Sequence, residues 1–285
     1  MSPSDRPQQW VLSLTCPDQP GIVHALTGAI VAAGGNITEL QQFSSADTGR
    51  FFTRIQVEDA GHDELRAELE PVCAGLEASW HLDEFGRPVR TLVLASKAGH
   101  CLNDLLFRQR AGHLPITIPT VLSNHDVLAP LAGFYGVPFE SHVVTPETKD
   151  DVEDRILHLV AEHDIELVVL ARYMQILSPR LCEALAGRAI NIHHSFLPGF
   201  KGANPYRQAH QRGVKLIGAT AHFVTSDLDE GPIIEQNVVR VDHTRSPHQL
   251  MSIGQDQESA TLTEAVKLFA EHRVLLDGVR TIVFH

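Results

Sequence analysis

The sequence has no excess of positive charge: 23 lysines and arginines stand against 35 aspartates and glutamates, a formal net charge of −12. No lysine- or arginine-rich run breaks that balance. The chain therefore lacks the basic face with which a phosphate-backbone binder releases counterions, and no nucleic-acid partner is expected. Cysteine is scarce, with Cys16, Cys73, Cys101 and Cys182 far apart and no CxxC pair. A stapled secreted domain needs denser cysteine, and a structural zinc site needs close ligand pairs. The expectation is four reduced, buried thiols in a cytoplasmic protein without a metal. The opening residues MSPSDRPQQW carry no basic-then-apolar leader pattern. Long hydrophobic runs are missing as well: Ile165–Met174 already contains Glu166 and Arg172, well short of the roughly 18 apolar residues that suggest a span, so no membrane partner is expected. Internal repeats and low-complexity segments are absent.

What is present is 285 residues, 43% hydrophobic and 20% charged, the balance of a globular enzyme with room for two domains. The first part alternates. Residues 9–15 read as a strand, Pro17–Gly21 as a turn, and Ile22, Leu26 and Ile30 as one face of a helix ended by Gly34-Gly35. Strands follow at Asn36–Phe43 and Phe51–Glu58, then a helix over 61–75 with Pro71 disturbing its last part, then a strand over 78–84. The order β-α-β-β-α-β predicts a ferredoxin-like sandwich over residues 8–84, followed by a linker over 85–90.

Beyond the linker, Thr91–Ala95, Ile116–Leu122, Ile165–Ala171 and Ala189–Ile192 are short, nearly unbroken apolar runs between helical stretches. Strands apolar on both faces predict an α/β domain with a mainly parallel sheet over 91–285. Val152, Ile156, Leu159 and Val160 mark one helix face, and Leu262, Val266 and Phe269 another.

The chemistry-bearing residues gather where the run Ala189–Ile192 ends, in Asn191-Ile192-His193-His194-Ser195-Phe196-Leu197-Pro198. Ligands of open α/β sheets bind at the carboxyl ends of strands. Alternation puts Asn191 and His193 on one side, an amide and an imidazole that could serve a carbonyl turning into an oxyanion. A second cluster, Gly218–Val224, leads into a loop carrying Asp227, Asp229 and Glu230 before Gly231-Pro232. A carboxylate beside His193 would hold the imidazole as a cation, and spacing does not choose among the three. His222, inside an apolar strand, reads as a buried, hydrogen-bonded structural residue. Lys201-Gly202 and Asn204-Pro205 read as a candidate lid.

Asn191-Ile192-His193-x-Ser195-x-Leu197-Pro198, then Phe200-Lys201-Gly202, then His222-Phe223-Val224-x4-Asp229-x-Gly231-Pro232-Ile233-Ile234 resembles the formyltetrahydrofolate-dependent formyltransferase family, over roughly residues 90–280. The resemblance implies a catalytic triad of Asn191, His193 and Asp229. It also implies a pterin site made by Met174, Gln175, Ile176 and Leu177 on one side and by the loop with Thr225 and Asp227 on the other. Arg172 is a candidate for the folate glutamate carboxylates or for a surface ion pair.

Residues 8–84 resemble the ACT module, through Asp18-x-Pro20-Gly21-Ile22 and Gly35-Asn36-Ile37. That resemblance implies pairing into a homo-oligomer and an amino-acid effector, such as glycine or methionine, at Asp18, Gly21, Ile22, Asn36 and Ile37. Asp18 is also expected to cap the following helix. The fusion of the two modules resembles the water-using branch of the family. It implies hydrolysis of 10-formyltetrahydrofolate to formate and tetrahydrofolate, feeding purine synthesis and balancing one-carbon pools, with the folate as substrate and no further cofactor. Asp229 would take the proton from water while Asn191 and protonated His193 hold the oxyanion. The alternative is formyl transfer to an amine such as glycinamide ribonucleotide. Against it stand the turn Ser96-Lys97-Ala98-Gly99-His100, poor in glycine for a phosphate cradle, and His194, where the ribonucleotide transferases have proline.

Overall fold

Four antiparallel strands open the chain in the computed structural model, which describes residues 8–197 and 205–285. The expected lid Lys201-Gly202 with Asn204, and the motif residues Pro198 and Phe200, lie outside the described residues. Strand β1 (Gln9–Pro17) turns Trp10, Leu12, Leu14 and Cys16 into one core. Helix α1 (Ile22–Ala32) covers them with Ile22, Leu26, Ala29 and Ile30. Strands β2 (Asn36–Ser45) and β3 (Arg50–Glu58), helix α2 (His62–Gly75) and strand β4 (Ser79–Glu84) complete a sheet of order β2-β3-β1-β4. Pro71 does not end α2, which runs on to Gly75. Its ring costs one backbone bond, but Leu69 and Cys73 on either side of it are fully buried and hold the turn. Asp18 does not cap α1 either: the cap position is Gly21, in the left-handed region at φ 94°, with no side-chain cap bond.

The second unit spans Pro88–Ala270. Its strands are β5 (Val89–Ala95), β6 (Ile116–Thr117), β7 (Val121–Ser123), β8 (Phe139–Ser141), β9 (Leu167–Ala171), β10 (Ala189–His193), β11 (Leu216–Phe223) and β12 (Ile233–Arg240). Helices α3 (His100–Arg110), α4 (Ala129–Phe134), α5 (Lys149–Glu162), α6 (Pro179–Ala184), α7 (Pro205–Arg212) and α8 (Pro247–Ala270) connect and cover them. The order is β12-β11-β10-β9-β5-β7-β8, with β6 beside β5. Pairings from β10 through β8 are parallel, and those of β11 with β10 and β12 are antiparallel. The run expected as one strand over 116–122 is two short strands, because Pro119 between them has no N–H to give a ladder.

Residues 271–285 depart from the expected 91–285 domain, since Glu271–His285 group with the first unit. Strands β13 (Val274–Asp277) and β14 (Arg280–Val283) form a hairpin there. Polar bonds rather than an apolar stripe hold it. The buried Asp277 carboxylate accepts from Ser45 Oγ at 2.8 Å and Thr48 Oγ1 at 2.7 Å, and Arg273 pairs with Glu39 at 3.0 Å.

All four cysteines are free and buried. Burial pushes the Cys73 thiol up to about 12 and raises Cys16, Cys101 and Cys182 as well. Thiolate is the reactive form. The native protein at pH 8 should therefore give no rapid colour with Ellman's reagent, and four thiols should appear only in denaturant. One fast thiol in the native state would contradict this packing.

Candidate active site

At the carboxyl end of β10 the sheet changes direction: β9 runs parallel to it and β11 antiparallel. The β10–β11 register sets Asn191 opposite His222 and His193 opposite Thr220. A bulge at Ala221/His222 against β12 re-aims β11 at this point. The chain then loops over residues 224–232, and Asp229 takes the left-handed conformation at φ 58°, which aspartate tolerates better than most residues.

These placements converge. His193 Nδ1 lies 3.1 Å from Asp229 Oδ2, while His193 Nε2 is buried with no partner among the described residues. His222 Nδ1 is 2.9 Å from the Phe223 carbonyl oxygen. A carbonyl only accepts, so Nδ1 carries the proton and Nε2 of the neutral ring is an acceptor. Asn191 Nδ2, at 3.2 Å, donates to it. His222 Nε2 also lies 3.8 Å from Asp229 Oδ1. The His193 hydrogen bond, the largest effect, holds the Asp229 carboxyl well below the carboxylate range against the opposing effect of burial. His222 is thus buried and hydrogen-bonded as expected, and it also fixes which end of the Asn191 amide faces the site.

Asn191, His193 and Asp229 line a cavity of about 770 Å³, within the range of small-molecule sites. Met174, Gln175, Ile176, Leu177, Thr225 and Asp227 line it too. The 174–177 segment is anchored at both ends: Ser96 Oγ accepts from the Met174 N–H at 3.0 Å, and Glu153 accepts from the Ser178 N–H at 2.8 Å. Met174 and Ile176 are nonetheless 61% and 63% exposed, apolar edges suited to a flat ring. Two side chains of the turn 96–100 are already engaged. Ser96 Oγ donates to Asn124 Oδ1 at 2.6 Å, and His100 Nε2 lies 2.8 Å from Glu258 Oε2.

Arg172 reaches neither outward nor to a surface partner. Its side chain is 17% exposed, and Nε sits 3.3 Å from Glu258 Oε2, in an ion-pair contact without hydrogen-bond geometry. Glu258 is 1% exposed and also accepts from Tyr206 Oη at 2.5 Å. Sequence reasoning missed Glu258 and Tyr206. The available signal was a carboxylate on the stripe that continues through Leu262 and Val266 of α8, legible only once the helix is extended back to Pro247.

Burial, then the charges of Arg172 and His193, lower His194 to about 4. A folded-state value below the ordinary 6.5 stabilises the fold fully above that value. The stability is lost as pH falls towards 4. The melting temperature should therefore decline over that window, and His194→Gln should flatten this part of the decline. An unchanged slope in the variant would remove His194 as its source.

In the first unit the structure does not bring the expected effector residues together. β1 and β2 run in the same direction on either side of β3, with Gln9 and Asn36 both opposite Glu58 and Pro17 opposite Arg50. Asp18, Gly21 and Ile22 therefore follow one end of the sheet, whereas Asn36 and Ile37 start at the other. Ile22 is 2% exposed in the core, and Asn36 Nδ2 donates to Glu58 Oε1 at 3.1 Å. Within one chain these five residues are not a single pocket. No described helix is long and apolar enough to cross a membrane.

The formyl transferase family profile matches residues 89–266 and the ACT domain profile residues 10–73. Formyltetrahydrofolate deformylases of a Corynebacterium species and of Bacillus subtilis are 48% and 43% identical, covering 96% of this chain and 97% and 93% of theirs. The crystal structure of a formyltetrahydrofolate deformylase from Burkholderia mallei has a TM-score of 0.95 at 50% identity, covering 98% of this chain and all of that one. A glycinamide ribonucleotide transformylase from Symbiobacterium toebii has a TM-score of 0.65 at 32% identity over 72% of this chain and 98% of its own. By both modules, in this order and over nearly its whole length, the chain belongs to the formyltetrahydrofolate deformylases of the formyl transferase family.

Proposed function

We infer that the chain hydrolyses 10-formyltetrahydrofolate to formate and tetrahydrofolate. The observation that carries the chemistry is the setting of His193, which lines the cavity: Nδ1 is held by Asp229, and Nε2 is buried without a partner among the described residues. In this reading water adds to the formyl carbon as His193 Nε2 takes its proton. Asp229 stabilises the imidazolium that forms. The second N–H of the Asn191 amide, whose other N–H goes to His222, donates to the oxyanion. The C–N10 bond then breaks, and His193 returns the proton to the leaving amine. The sequence reading had Asp229 take that proton itself. Its two oxygens both face imidazoles and its carboxyl is held low, so the geometry supports an orienting anion instead.

The reaction is redox-neutral and uses side chains already gathered at the site, so the proposal includes no metal or further cofactor. Met174–Leu177 and Thr225–Asp227 are proposed to hold the pterin between them. Formate made this way would feed purine synthesis and balance one-carbon pools. Four unpaired buried thiols suit a reducing, cytoplasmic setting. The two separated groups of ACT residues would form a complete effector site for glycine or methionine only across two copies, so a homo-oligomer is part of the proposal. Formate release from 10-formyltetrahydrofolate with no amine present tests the reaction. Formylated amine with no formate, once an acceptor is added, would replace hydrolysis by transfer.

A further inference from the structure

We propose that Arg172 and Glu258, braced by His100 and Tyr206, are specificity-determining residues that keep amine acceptors from the formyl carbon and leave it to water. The inference rests on the hydrolytic reading of the same cavity. All four side chains line that cavity with the triad, yet none takes part in the steps derived above. His194 links the two groups, since the charges of Arg172 and Glu258 act on it together with those of His193 and Asp229.

The cluster is built from four elements. Arg172 follows β9 in the left-handed conformation, φ 63°, where a side chain is strained and glycine is not. His100 opens α3. Tyr206, on α7, lies against Gly254 of α8: a methyl group there would stand 2.2 Å from the tyrosine oxygen. Glu258 is one turn further along the same helix. Its carboxylate receives His100 at 2.8 Å and Tyr206 at 2.5 Å, with Arg172 at 3.3 Å. Those donors outweigh burial and hold Glu258 ionised.

The consequence is a wall whose polar groups face one another. An amine substrate large enough to need its own recognition would have to part a buried ion pair, leaving Glu258 uncompensated. Water needs no such partners. Specificity is a difference between two nucleophiles, and an obstacle placed against one of them produces it. In the excluded reaction an amine nitrogen would bond to the formyl carbon, the C–N10 bond would break, and the amine's proton would pass to N10. Nothing but the identity of the nucleophile differs from hydrolysis.

The test is the partition of formyl groups between formate and formylated amine, for the whole protein supplied with 10-formyltetrahydrofolate and glycinamide ribonucleotide. Wild type should give formate almost alone. Arg172→Gly, which removes both the side chain and the strain, should raise the amine-to-water ratio about tenfold or more. Glu258→Gln, which keeps the shape and loses the charge, should raise it several-fold. A ratio among turned-over molecules is unmoved by partial unfolding. Wild type and both variants that release formate and formylate no amine would overturn the filter alone. A wild type that formylates the amine and releases no formate would overturn the filter and the hydrolytic reading together.

Discussion

Replacing His193 by alanine is expected to lower the turnover number for formate release by about a hundredfold to ten-thousandfold, with the fold intact. The ring is 7% exposed, so some stability is lost with it, and a melting curve separates that loss from the catalytic one. Asp229→Asn should cost a comparable factor. An amide in place of the carboxylate can still touch His193 Nδ1 at the observed 3.1 Å, but it cannot stabilise an imidazolium and it favours the wrong tautomer. Because the two residues act as a unit, the double variant should be little worse than the slower single one. Additive losses would mean two independent roles. The pH dependence of turnover separates the two candidate proton acceptors. If His193 takes the proton, turnover declines on acidification while the Asp229 carboxyl, held low, is still ionised. A limb lying only below about pH 4 would return the proton to Asp229, whose carboxyl is held well below its ordinary value.

The parts of this site that were legible in the sequence are those that local pattern controls. Asn191 and His193 share a side because strand alternation leaves no choice. Their place at the end of a parallel strand followed from the two-faced apolar runs at 165–171 and 189–192, observed as β9 and β10. Asp229 was singled out among three carboxylates by family resemblance, and the physical reason it stands where it does is a long-range register: β11 must pair with β10 before the loop after it can reach His193. Glu258 and Tyr206 were illegible for a similar reason. A lone carboxylate on a helix whose start is unclear reads as solvated surface until Gly254, His100 and Arg172 are brought around it. The C-terminal hairpin escaped because Asp277, Arg273 and Glu39 hold it through polar bonds spanning more than 200 residues, and no periodicity records such bonds. The effector residues illustrate the converse. Asp18 to Ile22 and Asn36-Ile37 are near in sequence, but the 11-residue helix between them carries the chain back across the sheet, roughly 16 Å at the helical rise.

Gly231→Ala should be severely damaging for the addition of a single methyl group. A Cβ at Gly231 would stand 1.8 Å from the Phe223 carbonyl oxygen, 2.9 Å from its carbon and 3.3 Å from His222 Nδ1. These are backbone and ring atoms with nowhere to swing, and the same carbonyl accepts the His222 Nδ1–H that sets the tautomer. Phe223 N–H also donates to the Pro232 carbonyl at 2.9 Å, closing the loop that carries Asp229. Relief requires the loop to lift, which takes Asp229 from His193 and turns the His222 acceptor away from Asn191. Overpacking of this kind costs about 1–3 kcal/mol, a drop of several degrees in melting temperature. The loss in formate release should approach that of Asp229→Asn, because the carboxylate is displaced rather than removed. Gly133→Ala is the matched comparison. It lies within α4 with no atom inside 4 Å of the added carbon, and helix propensity favours alanine there by up to about 1 kcal/mol. It should melt no lower than wild type and turn over at the same rate. If Gly231→Ala did the same, the loop would be able to move without the triad, and the coupling of Phe223, His222 and Asp229 would be wrong.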